Sequence, residues 1–357
     1  MFLAYFANLS EKVDNALRIF MDEQISLVQH DSFLKYYYEQ VKNFLFSGGK
    51  RLRPILMALS YDAIKPNQIE KAILSVAISL ELLHNASLIH DDIIDNADIR
   101  RGEKTFHRVF RDYAKENNKL ISKNFDDYGV AMGILGGDFV YNLAYQAVNT
   151  KDFPPEVALR AAIDFNDGFL KIAQGVIIET DLMRRFDVSE EEYIRMIELK
   201  TAALFEKAAR MGAVYANGTD EQIEILGRFG LTAGLAFQIV DDIIGTFGDS
   251  NKTGKPNDSD LREGKKTILL IKAIERADNQ QREILSGIVG NRDATEIEIE
   301  KAREIFRQTG SLEYASKKAE ELFQQCIEYL EKQETAINDK HKDYLIEIAS
   351  MGIHREK

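Results

Sequence analysis

The chain has 357 residues, 45% of them hydrophobic and 29% charged, with five prolines and no tryptophan, which fits a globular and mainly helical protein. A formal net charge of -12 argues against nucleic acid as the main partner, because a phosphate backbone attracts basic surfaces; an anionic substrate held by metals and local cations remains open. The single cysteine, Cys326, excludes an internal disulfide framework and any cysteine-based zinc site, and reads as a small filler on a helix face.

The opening MFLAYFANLSEKVDNAL has neither a basic first segment nor a long uncharged core, so it does not read as a signal peptide. Residues 72–95 come nearest to a membrane span, but Glu81, His84 and a run of acids interrupt them. No linker and no repeat divides the sequence. The expectation is one domain over residues 1–357, without a transmembrane segment, soluble and cytoplasmic.

Residues 1–30 read as one or two amphipathic helices, with Val13, Leu17, Phe20 and Met21 at helical spacing. The next helix, from Ser32 to Phe46, carries Tyr36, Tyr37 and Tyr38 and stops at Ser47-Gly48-Gly49. That stop exposes Lys50, Arg51 and Arg53 just before Pro54. A Gly-Gly-Lys turn can set backbone N–H groups and cations around one phosphate. A plain helix stop followed by a solvated basic start fits the same residues.

Asn67 to Glu70 reads as a capped helix start, and from Ile69 to Asp95 apolar positions cover most of the circumference, as in the middle of a bundle. His90 reads as a hydrogen-bonded core residue, whereas His84, about two turns before Asp91, is placed to reach a phosphate. The helix runs into LIHDDIIDNADIRRG (88–102). Asp91 and Asp95 share one face, Asp92 lies beside them, and Asp98 falls about a turn further on if the helix lasts. Like charges at this spacing cost roughly 0.2 to 0.5 kcal/mol per pair, a cost that a cation removes. A lone acidic cluster is often a solvated helix end, but Ile89, Ile93 and Ile94 between the acids suit the wall of a cleft.

From Asn96 to Lys104 the chain turns, with Arg100, Arg101 and Gly102 in the loop. A second apolar helix over roughly 128–148 contains GILGGDF, whose small residues permit close helix contact; Phe139, Tyr141 and Tyr145 read as core or as a ligand wall. Pro154-Pro155 opens a helix to about Leu182 that carries Gln174, Glu179 and Asp181. Ser189 to Glu192 forms a capping box for a helix through IELKTAALFEKAARMGA, where Lys200 either snorkels or meets an anion beside Thr201.

Thr219 to Gln222 caps the following helix, whose stripe of Ile223, Leu226, Phe229, Ala233, Phe237 and Val240 aims Asp241. FQIVDDIIGTFGD (237–249) repeats the acidic arrangement. Two carboxylate pairs, each at the end of an apolar helix, are what magnesium bridging a polyphosphate needs. The polar loop 251–266 brings Lys255, Lys265 and Lys266 near in sequence, and beyond Thr267 four or five amphipathic helices, with starts near Thr295 and Ser311, carry no identifiable chemistry. No strand-like alternation is visible.

GGKRLRP (48–54), HDDIIDNADIRRG (90–102), KTAALF (200–205), FQIVDDIIGTFGD (237–249) and GKPNDSDLREGKKT (254–267), in this order and spacing, resemble the trans-isoprenyl diphosphate synthases, also called polyprenyl synthetases, and among them the archaeal-type geranylgeranyl diphosphate synthases. The resemblance implies an all-α chain: a single large helical bundle of the isoprenoid synthase type around a deep central cavity, usually a homodimer, with the two aspartate motifs facing each other across its mouth. It assigns Asp91, Asp92 and Asp95 to magnesium on an allylic diphosphate and Asp241 and Asp242 to the remaining magnesium, three ions per site with substrate bound. Arg100, Lys200, Lys255 and Lys265 would bind the allylic diphosphate; Lys50, Arg53, His84 and Arg101 would hold isopentenyl diphosphate. Thr201 and Gln238 would offer oxygens to the developing cation.

Three departures matter. Gly245 stands where many relatives carry a third aspartate, leaving Asp249 or solvent to complete the metal shell. The usual Gly-Gln-x-x-Asp run appears as Gln174-Gly175 followed by Glu179. Ala86 and Ser87 occupy the positions before Asp91 where short-chain synthases generally place an aromatic floor, so the growing chain passes deeper, toward Leu83, Ser79, Phe139 or Tyr145. The expected reaction is magnesium-assisted condensation of isopentenyl diphosphate with dimethylallyl, geranyl or farnesyl diphosphate to the twenty-carbon geranylgeranyl diphosphate. A longer product, a terpene cyclase and a non-catalytic subunit of a heteromeric prenyltransferase are the alternatives; the retained aspartates and the second basic set speak against the last two.

Overall fold

The computed structural model describes residues 2–68, 71–117, 124–248, 257–331 and 337–354. The described residues are helical almost throughout, as the all-α expectation requires. Their contacts divide the chain into two compact units, one of Met1–Phe165 with Met211–Gly218 and one of Asn166–Arg210 with Thr219–Lys357.

In the first unit, α1 (Phe2–Leu27) buries Leu9, Val13, Leu17 and Met21, a four-residue spacing that draws one stripe along the helix; Phe20 is only half-buried. Asp31 caps α2 (Ser32–Phe46) by accepting from the N–H groups of Phe33 and Leu34. Helix α3 (Leu52–Ile64) is buried without interruption from Pro54 to Ala63. Helix α4 is described from Lys71 to Ile94 and is covered over most of its surface; Ile69 and Glu70, part of the expected capped start, lie outside the described residues.

Helix α6 (Phe125–Val148) packs closely on α4 because glycine faces it: a Cβ at Gly137 would lie 2.1 Å from His90 Nε2, and one at Gly133 would lie 2.6 Å from Ile93 Cδ1. This is the physical use of GILGGDF. His90 is hydrogen-bonded as expected, with Nε2 3.0 Å from the Ile134 carbonyl, but its side chain is 30% exposed and so sits at the rim of the core.

Two elements depart from the sequence reading. Helix α5 (Phe106–Asn117) buries Phe106, His107, Phe110 and Ala114 among charged residues that mask its periodicity. Between α4 and α5 the turn is a small hairpin, β1 (Ile99–Arg100) against β2 (Glu103–Lys104), with Ile99 paired to Lys104 and positive φ at both Arg101 and Gly102, the geometry of a two-residue primed turn. Strands this short leave no alternation to read.

In the second unit, α7 (Pro155–Leu182, which begins in the first unit) is followed by α8 (Glu190–Ile197), a π-helical turn Glu198–Ala202, and α9 (Ala203–Tyr215, whose end from Met211 belongs to the first unit), where the sequence suggests one unbroken helix. Capping boxes at Ser189 and Thr219 start α8 and α10 (Asp220–Phe247) as expected. Of the stripe on α10, Ile223, Leu226, Phe229, Ala233 and Val240 are buried and Phe237 is half-buried. There follow α11 (Ser259–Glu263), α12 (Ile268–Arg276), α13 (Asn279–Ile288), α14 (Glu296–Gln308), α15 (Ser311–Glu331) and α16 (Asp339–Ile353). Cys326 is fully buried on α15, and burial pushes its thiol up to about 12, in keeping with a packing role.

By length and composition α4 and α10 are apolar enough to cross a membrane, but 72% of each apolar window is covered by the protein itself. They are core helices.

Candidate active site

In the first unit the acidic motif closes α4. Asn96 adopts positive φ, its N–H bonds the Ile93 carbonyl at 3.1 Å, and the Ala97 N–H reaches the Asp92 carbonyl at 2.9 Å. This paired return is a Schellman stop, for which asparagine is suited because it tolerates the left-handed region. The helix therefore ends before Asp98, which leaves the face of Asp91 and Asp95 and pairs with Arg108 at 2.6 Å. Asp91 and Asp95 are half-buried, while Asp92 is fully buried and accepts from Arg100 Nε at 2.7 Å. The expected metal ligand and the expected diphosphate-binding arginine are thus partners of each other.

The glycine turn after α2 is held by two arginines. Arg101 donates to the Gly48 carbonyl at 2.6 Å, and Arg51 donates to the carbonyls of Leu45 and Gly48. The expectation that Arg51 is solvated is corrected here: it is 4% exposed, adopts φ 53, and pairs with Glu81 at 2.6 Å and Asp14 at 2.8 Å. A buried charge needs such partners, and α1 and α4 supply them. Lys50 is exposed beside it, and Arg53 and His84 are half-buried. Burial lowers the pKa of Arg101, and the like charges of Arg100 and Arg51 add to this against Glu81 and Asp92. An anion at this cluster would relieve the strain.

Below the acids, Leu83 and Ala86 are buried and Ser87 bonds the His84 carbonyl at 2.8 Å. Ser79 is also buried, and Phe139 packs edge-on against Tyr38 with centroids 4.6 Å apart. Tyr145 is 44% exposed.

In the second unit the π-helical turn carries Lys200 and Thr201. It is clamped by glycine on two sides: a Cβ at Gly175 of α7 would lie 2.3 Å from the Lys200 nitrogen, and one at Gly234 of α10 would lie 2.7 Å from the Ala202 Cα. This explains Gly175 in the Gln174-Gly175 run, and such turns recur at functional sites. Lys200 is half-buried and ion-paired to Glu179, which gives that acid a role the sequence left open.

Thr201 donates to Gln238 Oε1 at 2.7 Å, Gln238 Nε2 donates to Asp242 Oδ1 at 2.8 Å, and Tyr193 donates to Asp242 Oδ2 at 2.7 Å. Asp241 is exposed on the same helix and Asp242 is buried. Burial, reinforced by Asp260, pushes the Asp242 carboxyl well above the usual range; the Tyr193 and Gln238 hydrogen bonds oppose this. A cation would do the same.

Two residues here gained no role from the sequence, although Asp260 lies within the run 254–267. Tyr193 lies outside every recognised run. Asp260 occupies the space left by the missing third aspartate, since a Cβ at Gly245 would lie 2.9 Å from Asp260 Oδ2. Lys265 lies 3.8 Å from Asp260 and 2.8 Å from Glu263. Lys255 and Asp249 lie outside the described residues.

The donor set suits a hard divalent cation. The acids offer hard oxygens, and among the described residues no three His, Cys, Asp or Glu side chains converge on one point. Magnesium characteristically takes one or two carboxylates and completes its shell with phosphate oxygens and water.

Acid motifs close two core helices of an all-helical protein, and the first is paired to Arg100. The sequence profile described as polyprenyl synthetase matches residues 34–306, and the chain belongs to that family. Over 357 residues it is 33% identical to the geranylgeranyl diphosphate synthase of Sulfolobus acidocaldarius, a match covering 99% of this chain and 100% of that protein. Over 276 residues it is 36% identical to the geranylfarnesyl diphosphate synthase of Aeropyrum pernix, covering 76% and 80%. Among solved structures, the geranylgeranyl pyrophosphate synthase of Corynebacterium glutamicum, complexed with isoprenyl diphosphate and magnesium, superposes with a TM-score of 0.90 at 29% identity, covering 97% of this chain and 98% of that one.

Proposed function

We propose that the chain is a trans-prenyltransferase that condenses isopentenyl diphosphate with an allylic diphosphate to give geranylgeranyl diphosphate, acting as one polyprenyl synthetase domain. The observation that carries this reading is Arg101 bound to the Gly48 turn, which Lys50 and Arg53 follow in sequence, a basic set in addition to Arg100 at the acid motif. A cyclase binds one diphosphate and has no use for a second set; a condensing enzyme needs both.

Asp91, Asp92 and Asp95, and separately Asp241 and Asp242, would hold magnesium, which when bound neutralises charge on the departing diphosphate. Arg100 in the first unit, and separately Lys200 and Lys265 in the second, would add positive charge to a bound diphosphate, and Lys255 is added as an expectation carried by its motif. Asp92 and Glu179 hold Arg100 and Lys200 until the substrate arrives. Lys50, Arg53, His84 and Arg101 hold isopentenyl diphosphate. Thr201 and Gln238 would offer oxygen dipoles to the allylic cation; on α4, Leu83, Ala86 and Ile89 are buried apolar side chains of the kind that keeps out water. The isopentenyl double bond attacks, a proton passes to the departed diphosphate, and no protein nucleophile takes part.

Ala86 and Leu83 on α4, with Ser87 beside them, favour a product longer than fifteen carbons. The Aeropyrum pernix relative, named for geranylfarnesyl diphosphate, keeps a twenty-five-carbon product as a second reading. Apolar side chains stand exposed on α6 (Ile134, Leu135, Tyr145) and on α7 (Leu159, Ile163), which supports a homodimer. A cytoplasmic biosynthetic enzyme fits this chemistry.

Replacing Asp91 by alanine tests the assignment. Elongation should fall by orders of magnitude with circular dichroism and Tm retained; near-normal turnover would remove Asp91 from the metal site.

A further inference from the structure

The Asp242 carboxylate accepts one hydrogen bond on each oxygen. Gln238 approaches Oδ1 at 2.8 Å and Tyr193 approaches Oδ2 at 2.7 Å. Gln238 sits one turn before Asp242 on α10 and has its own amide orientation set by Thr201. Tyr193 comes from α8 and has no exposed surface, so its hydroxyl is fixed by packing.

The mount of that hydroxyl is itself braced. Helix α8 opens with the Ser189 capping box, and the Tyr193 N–H returns to the Ser189 carbonyl at 3.1 Å. Glu190, in the same turn, binds Lys272 at 2.8 Å, the Tyr314 hydroxyl at 2.7 Å and Lys318 at 3.0 Å. These partners come from α12 and α15, so α8 is tied to two helices just before Tyr193. A carboxylate at a helix end is otherwise free to rotate about its last bond; here it is gripped from two elements.

We propose that Tyr193 is a positioning residue of the second acid motif: its hydroxyl fixes the plane of the Asp242 carboxylate, leaving one lone pair on each oxygen directed at magnesium or at a water of its shell. The inference rests on the reading of Asp242 as a magnesium-side acid. It assigns a task to a residue outside the acid motifs and outside KTAALF. It also gives Gln238 a second task, since the amide that offers Oε1 to the reacting carbon chain holds the metal-side carboxylate through Nε2.

The test is Tyr193→Phe, which removes only the hydroxyl. Tm is recorded while magnesium is titrated at fixed inorganic diphosphate, for the wild type and the variant. The variant should need ~10- to 100-fold more magnesium for its half-maximal rise in Tm, and its elongation rate should show the same displaced magnesium dependence. A purely structural role would lower the metal-free Tm and leave the midpoint in place, and that result would overturn the proposal. Gln238→Met removes the opposite bond and should displace the midpoint in the same direction; an unmoved midpoint in whichever variant is recovered folded counts against the idea. In an Asp242→Asn background Tyr193→Phe should move the midpoint no further. A wild type whose Tm ignores magnesium with diphosphate would instead overturn the metal reading, and the inference with it.

Discussion

Arg51 and Glu81 meet at 2.6 Å with side chains 3% and 4% exposed, and the Arg51 backbone is held in the left-handed region to make the contact. A non-glycine residue in that region is unfavourable unless its surroundings fix it. The fixing here ties the glycine turn to α4, the helix that carries the first acid motif. Asn85 adds a bond to the Glu81 carboxylate at 3.0 Å.

Glu81→Ala should therefore destabilise the protein by about 3 to 5 kcal/mol, because it leaves the Arg51 charge buried with only Asp14 as an acidic partner. Denaturant midpoints measure the loss. Arg51→Met combined with Glu81→Leu should recover much of the stability while leaving KM for isopentenyl diphosphate raised, since Arg51 no longer helps Arg101 hold the turn bearing Lys50. Full recovery of both would reduce the pair to simple packing.

Gly175→Ala places a methyl group against the Lys200 backbone, where an ideal Cβ would lie 2.3 Å from its nitrogen. Overpacking of this kind typically costs about 1 to 3 kcal/mol. The π-helical turn must shift to accept it, moving Lys200 and Thr201 together. Turnover should fall more than Tm suggests, and a variant with normal kcat would show that the turn has slack.

Ala86→Phe should shorten the product. Ala86 is 1% exposed on α4, between the acids and the deeper Leu83, and one helical turn spans about 5.4 Å, roughly the reach of one isoprene unit. Chromatography of dephosphorylated products should show fifteen carbons or fewer in place of twenty. An unchanged distribution would move the floor of the chain path elsewhere.

Burial alone would raise the Glu190 pKa, but bonds from Lys272, Tyr314 and Lys318 outweigh it and hold the carboxyl at about 2, against a usual 4.5. The folded value lies below the unfolded one, so Glu190 stabilises the protein fully above pH 4.5 and progressively less as pH falls toward about 2. Unfolding measured across that window should show a shallower acid loss in Glu190→Gln than in the wild type. Parallel curves would mean the cluster contributes nothing to acid stability.

What the sequence made legible, and what it hid, follows from range. Helix starts at Ser189 and Thr219 were readable because a cap is decided within four residues, and α4 and α10 because long apolar helices declare themselves. The acid motifs were readable because carboxylates at helical spacing carry a local cost. Helix α5 was hidden, its few buried positions set among charges, and the hairpin at Ile99 was too short to alternate. Arg51 looked solvated because its partners, Asp14 and Glu81, lie tens of residues away. Tyr193 matters only through Asp242, and Asp260, though inside the run 254–267, only through Asp242 and Gly245, contacts that no local pattern reveals. A glycine standing for an expected acid was the one available signal, and it marks the room that Asp260 takes.

The most direct test is the product profile of the purified protein given labelled isopentenyl diphosphate, magnesium and, in turn, dimethylallyl, geranyl and farnesyl diphosphate. The account predicts magnesium-dependent elongation of at least one primer, ending chiefly at geranylgeranyl diphosphate. No elongation of any primer, with the protein folded and magnesium present, would contradict it.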